Sequence, residues 1–263
     1  MKVIKEMNGL NGLTCHFGIY ENELIESCYF GEFDEVKKII KNKSCHINDC
    51  DDSAIKHAAG EGHLEIVKFL LENGADINGN EGSVISAASC DGQLDMVKFL
   101  VENGADVNGG DNNYALWWAS RNGDLEIVKV LVENGANIHA KNDDAIIKAC
   151  HGGHLDMVKF LVKNGANIHA DNPKDPFGGV IGLSIETGHL EIVKFLLENS
   201  VNIEDVNVNA IKRASCSGHL EVIKYLVEYG VDIQPYYDSL IELATKDKHM
   251  NVVEYLKSLN LSQ

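Results

Sequence analysis

Five histidines, His63, His154, His189, His219 and His249, stand at one place of a recurring string. Imidazoles in register are metal-ligand material. Zinc, however, needs ligand nitrogens about 2.0–2.1 Å from the ion. Equivalent atoms of stacked helical units stand about 8–10 Å apart, so a ladder of this kind cannot chelate. Gln93 and Asp124 also replace the histidine in two copies. The expected role is a polar residue that helps the turn between helices, and no metal or cofactor is expected.

The other residue types that carry chemistry are equally repetitive. Gly152-Gly153 and Gly178-Gly179 lack the strand-to-helix context and the lysine of a phosphate loop. The carboxylates Glu65, Asp95, Glu126, Asp156, Glu191 and Glu221 recur by position, as a solvated helix face does, and no unique pair stands out as an acid/base couple. No cysteine sits beside a recognisable base. A chain of this kind is expected not to be an enzyme.

Composition narrows the partners. The 263 residues are 44% hydrophobic, enough for a sizeable core, and three prolines leave no Pro-rich tether between domains. With 23 Lys+Arg against 40 Asp+Glu, the formal net charge is -17, which repels phosphate backbones and argues against nucleic acid. A basic or neutral-polar protein fits this charge better, although the charge also serves as a plain solubility device. Seven cysteines without a CxxC pair imply reduced thiols in a cytosol-like compartment. The start, Met1 to Glu6, reads as no secretory signal, and no apolar run is long enough to span a membrane.

The elements that position these residues come from one string written eight times. Gly62 to Asn78 returns at Gly92, Gly123, Gly153, Gly188 and Gly218, with weaker copies from Gly31 and Lys248. Successive starts lie 31, 30, 31, 30, 35, 30 and 30 residues apart. Within a copy, Leu64, Val67, Leu70 and Leu71 form one helical stripe opposite Glu65, Lys68 and Glu72. Gly74 supplies the left-handed stop. Upstream, Ser53 to Ala59 reads as a shorter helix, with alanine recurring at Ala58, Ala88, Ala119, Ala149, Ala214 and Ala244 so that helices can approach closely.

One helix pair cannot bury its stripe alone, but stacked neighbours make a continuous core. Lys38 stands where other copies carry Phe69 and its equivalents, and Lys257 where they carry Leu71 and its equivalents, as end caps would. The expected fold is therefore all-α: a solenoid of about eight stacked helix-turn-helix repeats, caps included, with short connectors. An N-terminal extension is assigned to 1–20 and a single array to 21–263, with repeats starting near 22, 53, 83, 114, 144, 179, 209 and 239.

The string Gly-His-Leu-Glu-Ile-Val-Lys-Phe-Leu-Leu-Glu-Asn-Gly-Ala-Asp-Ile-Asn (Gly62 to Asn78) resembles the second half of an ankyrin repeat. The first half departs from that family, with Ser53-Ala54-Ile55-Lys56 or Tyr114-Ala115-Leu116-Trp117 for Thr-Pro-Leu-His. The period is shortened as well. With Tyr114 to Ser120, this variant is similar to ankyrin proteins of giant DNA viruses infecting amoebae. The resemblance implies a scaffold that binds another protein on its concave face, a monomer in the cytoplasm, of the host if the source is viral. It implies, as an alternative, a substrate adaptor for a host ubiquitin ligase. Ser258 to Gln263 leave no room for the F-box-like segment such proteins often carry.

Carried over by position, the family's binding series falls on Glu26, His57, Ala87, Trp118, Lys148, Leu183, Arg213 and Leu243. Repeat 4 concentrates Tyr114, Trp117, Trp118 and Arg121, residue types enriched at interface hot spots. The tryptophans either contact a partner or fill the groove between repeats. Repeat 6 carries five extra residues near Phe177, with Gly182, Ser184 and Ser200 departing from the pattern; it is either a protruding finger beside a soft joint or drift in a tolerant loop. Asn78 and Asn108 match the ankyrin asparagine that an oxygen-dependent hydroxylase modifies.

Overall fold

Ile66, Val67 and Leu70 are spaced so that one helical face is apolar, and burying that face is what holds each unit to the next. The computed structural model describes residues 23–42, 47, 53–109, 113–170, 179–199, 201–202, 204 and 206–259, with the side chains of 80–83 excepted. Among these the chain forms eight antiparallel helix pairs. The first four are α1 (Glu23–Phe30) with α2 (Phe33–Lys41), α3 (Ser53–Gly60) with α4 (Leu64–Glu72), α5 (Gly79–Cys90) with α6 (Leu94–Glu102), and α7 (Tyr114–Asn122) with α8 (Leu125–Glu133). The last four are α9 (Ala140–Gly152) with α10 (Leu155–Lys163), α11 (Gly179–Glu186) with α12 (Leu190–Glu198), α13 (Val208–Ser217) with α14 (Leu220–Tyr229), and α15 (Tyr237–Lys246) with α16 (Met250–Leu259). The expected all-α solenoid is what the chain adopts, and the described residues contain no strand.

The pairs stack in one direction, first helix on first helix and second on second. The first-helix row packs more closely than the second-helix row, so the stack bends with the first helices on the inside. Small residues allow that approach: Ala58, Ala88, Ala119, Ala149, Ala214 and Ala244 have no exposed surface. Ser184 takes the alanine's place in α11 and stays buried by donating its hydroxyl to the Val180 carbonyl at 2.7 Å. The second helices contribute Leu70, Leu100, Leu131, Leu161, Leu196, Leu226 and Leu256 to a continuous core. Each buried leucine is worth about 1.5–3 kcal/mol.

The repeated polar residue of the turn has a definite task. His63 Nε2 lies 3.0 Å from the Tyr29 carbonyl oxygen, His154 Nε2 3.1 Å from that of Arg121, and His189 Nε2 3.1 Å from that of His151. Each ring thus satisfies a carbonyl at the end of the preceding first helix, one of those a helix leaves unpaired. In repeat 4 the residue is Asp124, which has no ring N–H to offer and whose pKa burial raises above the usual carboxylate value. Asn122, two residues earlier, donates to the Cys90 carbonyl at 2.7 Å instead. The same rings fill the space above the left-handed glycines. A Cβ on Gly123, at φ +84, would stand 2.6 Å from the His154 ring.

A second ladder joins the connectors. Asn78 Oδ1 accepts from the Asp106 backbone N–H at 2.8 Å, and Asn108 Oδ1 accepts from that of Asn137 at 2.7 Å. In repeat 4 the equivalent residue is His139, which pairs with Asp143 at 3.0 Å, and Asp143 accepts from Asn167 N–H at 2.8 Å.

Candidate functional site

Trp117 and Trp118 are consecutive residues of a short helix on the inside of the bend, and consecutive helical positions point about 100° apart. One ring would ordinarily turn inward and the other outward. Here both remain half-buried, meeting edge to face with centroids 4.6 Å apart. Trp117 leans toward repeat 5, where its indole N–H donates to Asp144 at 2.6 Å. The Arg121 guanidinium lies 5.3 Å from the Trp117 centroid and 5.6 Å from that of Trp118. The Lys148 ammonium, from α9, lies 5.5 Å from Trp117 and 3.5 Å from Asp144. Tyr114, 43% exposed, carries Lys141 at 4.7 Å. Three rings and three cations thus form one surface across the joint of repeats 4 and 5.

The backbone beside this surface is strained. Lys141, Asn142 and Asp143 all have positive φ (52°, 58° and 60°), as does Asn113 (46°). Non-glycine residues in this region cost roughly 1–2 kcal/mol each. Asp143 and Asn113 are nevertheless buried, and they are held by the connector bonds, Asn113 donating to the Asn137 carbonyl at 2.9 Å. Strain of this kind gathers at functional sites, where surrounding contacts over-determine it. A recess lined by Asn113, Trp117, Asn137, Lys141 and Asp144 opens here. Its volume is about 10 Å³, room for one water and not for a substrate.

Five of the residues singled out from the sequence, Tyr114, Trp117, Trp118, Arg121 and Lys148, come together. His57 stands apart on α3, edge-on to Tyr29 with ring centroids 5.9 Å apart, and Arg213 on α13 faces Glu186 at 3.7 Å. Phe177 and Ser200 lie outside the described residues. Asn78 and Asn108 are exposed, but their side chains hold the next connector, so their amides are occupied in the stacked state. Asp144 and Lys141 are part of the surface although their types and positions had not marked them. The signal was available: Asp144 follows Trp117 by 27 residues, one repeat on and three places back, which is where a side chain of one first helix meets the next.

Burial pushes the Cys150 thiol up to about 12, so it stays protonated and unreactive. Cys28, Cys150 and Cys216 form no disulfide. Cys90 is disulfide-bonded, which corrects the expectation that all seven cysteines are reduced; spacing alone does not disclose connectivity. Among the described residues no group of three or more His, Cys, Asp or Glu side chains is placed to hold a metal, and no helix is long and apolar enough to cross a membrane.

Comparison with known proteins gives the same architecture. The family profile "Ankyrin repeats (3 copies)" matches residues 24–111, 84–172 and 172–237. The crystal structure of the human ASB11 ankyrin repeat domain is similar in fold, with a TM-score of 0.62 and 24% identity, over 72% of this chain and 90% of that one. No curated protein sequence matches significantly.

Proposed function

We propose, from the premise that this chain belongs to the ankyrin repeat family, that it is a scaffold holding another protein against the inner row of first helices, anchored at repeats 4 and 5. Ankyrin arrays are in general protein-binding modules and typically non-catalytic. The observation that carries the finer reading is the half-buried pair Trp117–Trp118 with Arg121 laid over both rings. Tryptophan and arginine dominate interface energetics because they bury large, rigid area and still offer directed polar contacts. A surface built only to fill the joint between repeats would have no need of exposed Tyr114 and Arg121 beside it.

Pre-organisation supports the same reading. The bond from Trp117 to Asp144 and the contacts of Arg121 fix rotamers that a partner would otherwise have to order, at about 0.5–1.5 kcal/mol per side chain. The short-period repeats, similar to those of giant DNA viruses of amoebae, make a cytoplasmic host protein the first partner to seek. The hydroxylation of Asn78 and Asn108 fits this picture as a modification of an opened repeat, since stacking engages both side chains. Affinity capture with the wild type against a Trp118→Ala, Arg121→Ala double variant tests the anchor. Loss of one set of partners is expected; an unchanged set would remove repeat 4 from the account.

A further inference from the structure

The anchor surface gathers three cations, Arg121, Lys141 and Lys148, on a chain whose overall charge is negative. The formal net charge is -17, yet the second-helix row has neutralised most of its cations within itself. Lys38, Lys68, Lys129, Lys194 and Lys224 each pair with the glutamate three residues earlier, at 2.6–2.9 Å. The first-helix row is arranged differently. Lys56 on α3 and Arg121 on α7 pair with no carboxylate among the described residues, and Lys212 on α13 lies 5.7 Å from the Tyr236 ring. Lys148 keeps Asp144 at a loose 3.5 Å. Arg213, further along the row, is paired with Glu186 at 3.7 Å, so the cations of the bend gather where the indoles are rather than along its whole length.

The way Arg121 is held decides what it can take. A guanidinium over an aromatic ring is fixed by its face, while its N–H donors remain in its plane at the edge, suited to a carboxylate. Both Arg121 and Lys148 lie within 5.5 Å of the Trp117 centroid. A carboxylate entering beside that ring meets two cations on an apolar floor. From the docking reading above, on which this step rests, we infer that the segment held here is an acidic peptide stretch of the partner protein. Its carboxylates meet Arg121 and Lys148, and an apolar side chain meets the tryptophan edge. An extended peptide advances about 3.3 Å per residue, so roughly every third residue reaches the next repeat, about 10 Å on. A basic segment would meet repulsion from Arg121, Lys141 and Lys148 at the anchor. The chain's overall negative charge, which by itself favours basic partners, acts at long range and is screened within about 8 Å at physiological salt, whereas contacts at the anchor are not.

The experiment selects short random displayed peptides on the immobilised intact chain. It then measures enriched synthetic peptides by fluorescence anisotropy against the wild type and variants. Enrichment of Asp and Glu is expected. Affinity should fall roughly tenfold or more in Arg121→Glu, Lys148→Glu, fall less in Arg121→Gln, Lys148→Gln, and hold in the outer-row variant Lys159→Glu. The glutamine pair keeps the test decisive should charge reversal disturb folding. Enriched peptides that are neutral or basic, yet weakened by these variants, would overturn the acidic assignment and leave the docking face standing. No peptide that depends on Arg121 and Lys148 would overturn both. Tighter binding of labelled oligo-dT, lost in the same variants, would overturn the peptide in favour of a nucleic-acid strand, which stacked aromatics and cations also suit.

Discussion

Trp117 on α7 donates its indole N–H to the carboxylate of Asp144 on α9 at 2.6 Å, so the anchor of the docking surface is also a clasp between repeats 4 and 5. Hydrogen bonds to charged groups contribute about 1.5–3 kcal/mol. Asp144→Ala should lower stability toward urea by that order and shift tryptophan emission to the red as the indole is released. Asp144→Asn, which keeps an acceptor, should lose less. Unchanged emission and stability in Asp144→Ala would show that the clasp has no part in holding the ring.

The histidine over the preceding repeat's glycine makes a second prediction. Gly123→Ala places a Cβ 2.6 Å from the His154 ring and imposes a left-handed conformation at φ +84 on a non-glycine residue. The conformational part alone costs on the order of 1 kcal/mol. In a double-mutant cycle with His154→Ala, the clash should be relieved and the conformational part should remain, giving a coupling of about 0.5–3 kcal/mol. Strict additivity would mean that ring and glycine do not meet.

Acidification should loosen the C-terminal repeats. Burial lowers the His219 pKa, and the neighbouring His189 and His249 act in the same direction, against the raising effect of a hydrogen bond to the Glu186 backbone. A histidine whose folded pKa lies below its unfolded value of about 6.5 favours the folded state when neutral. That contribution is intact above about pH 6.5 and is lost as pH falls from there through the folded value. Urea midpoints between about pH 7.5 and pH 5.5 should therefore drop more for the wild type than for His219→Gln, the residue type that Gln93 already supplies in repeat 3. Equal drops would remove His219 from the pH response.

Repeat 6 should open first. Helix α11 buries Gly182, and the Ser184 hydroxyl bonds to the carbonyl four residues back, a bond that competes with the helix ladder. In an array whose units contact only their neighbours, a weak unit divides the stack. Hydrogen exchange in α11 to α16 should outpace that in α3 to α10; uniform protection would contradict the weak joint.

Much of this was legible beforehand, for a physical reason. Leu70 and Ala58 recur because every repeat meets the same neighbour, so each copy repeats the same burial and the pattern announces the fold. The gathering of Tyr114, Trp117, Trp118 and Arg121 followed from their sitting on one helix. What escaped was contact between repeats. Asp144 looks like any connector carboxylate until Trp117 is seen reaching it, and Asn122 looks like a turn residue until Asp124 is seen unable to serve the Cys90 carbonyl. The left-handed run Lys141–Asp143 carries no glycine to mark it, because the bonds of Asp143 to His139 and Asn167 enforce it from outside the segment.

The claim that a partner docks inside the bend at repeats 4 and 5 is tested most directly by hydrogen exchange of the chain alone and with a captured partner bound. Slower exchange in Tyr114–Asn122 and in Ala140–Gly152, with Leu125–Glu133 and Leu155–Lys163 unchanged, is the predicted result. Slowing confined to the second-helix row would place the partner on the outside of the bend and contradict the account.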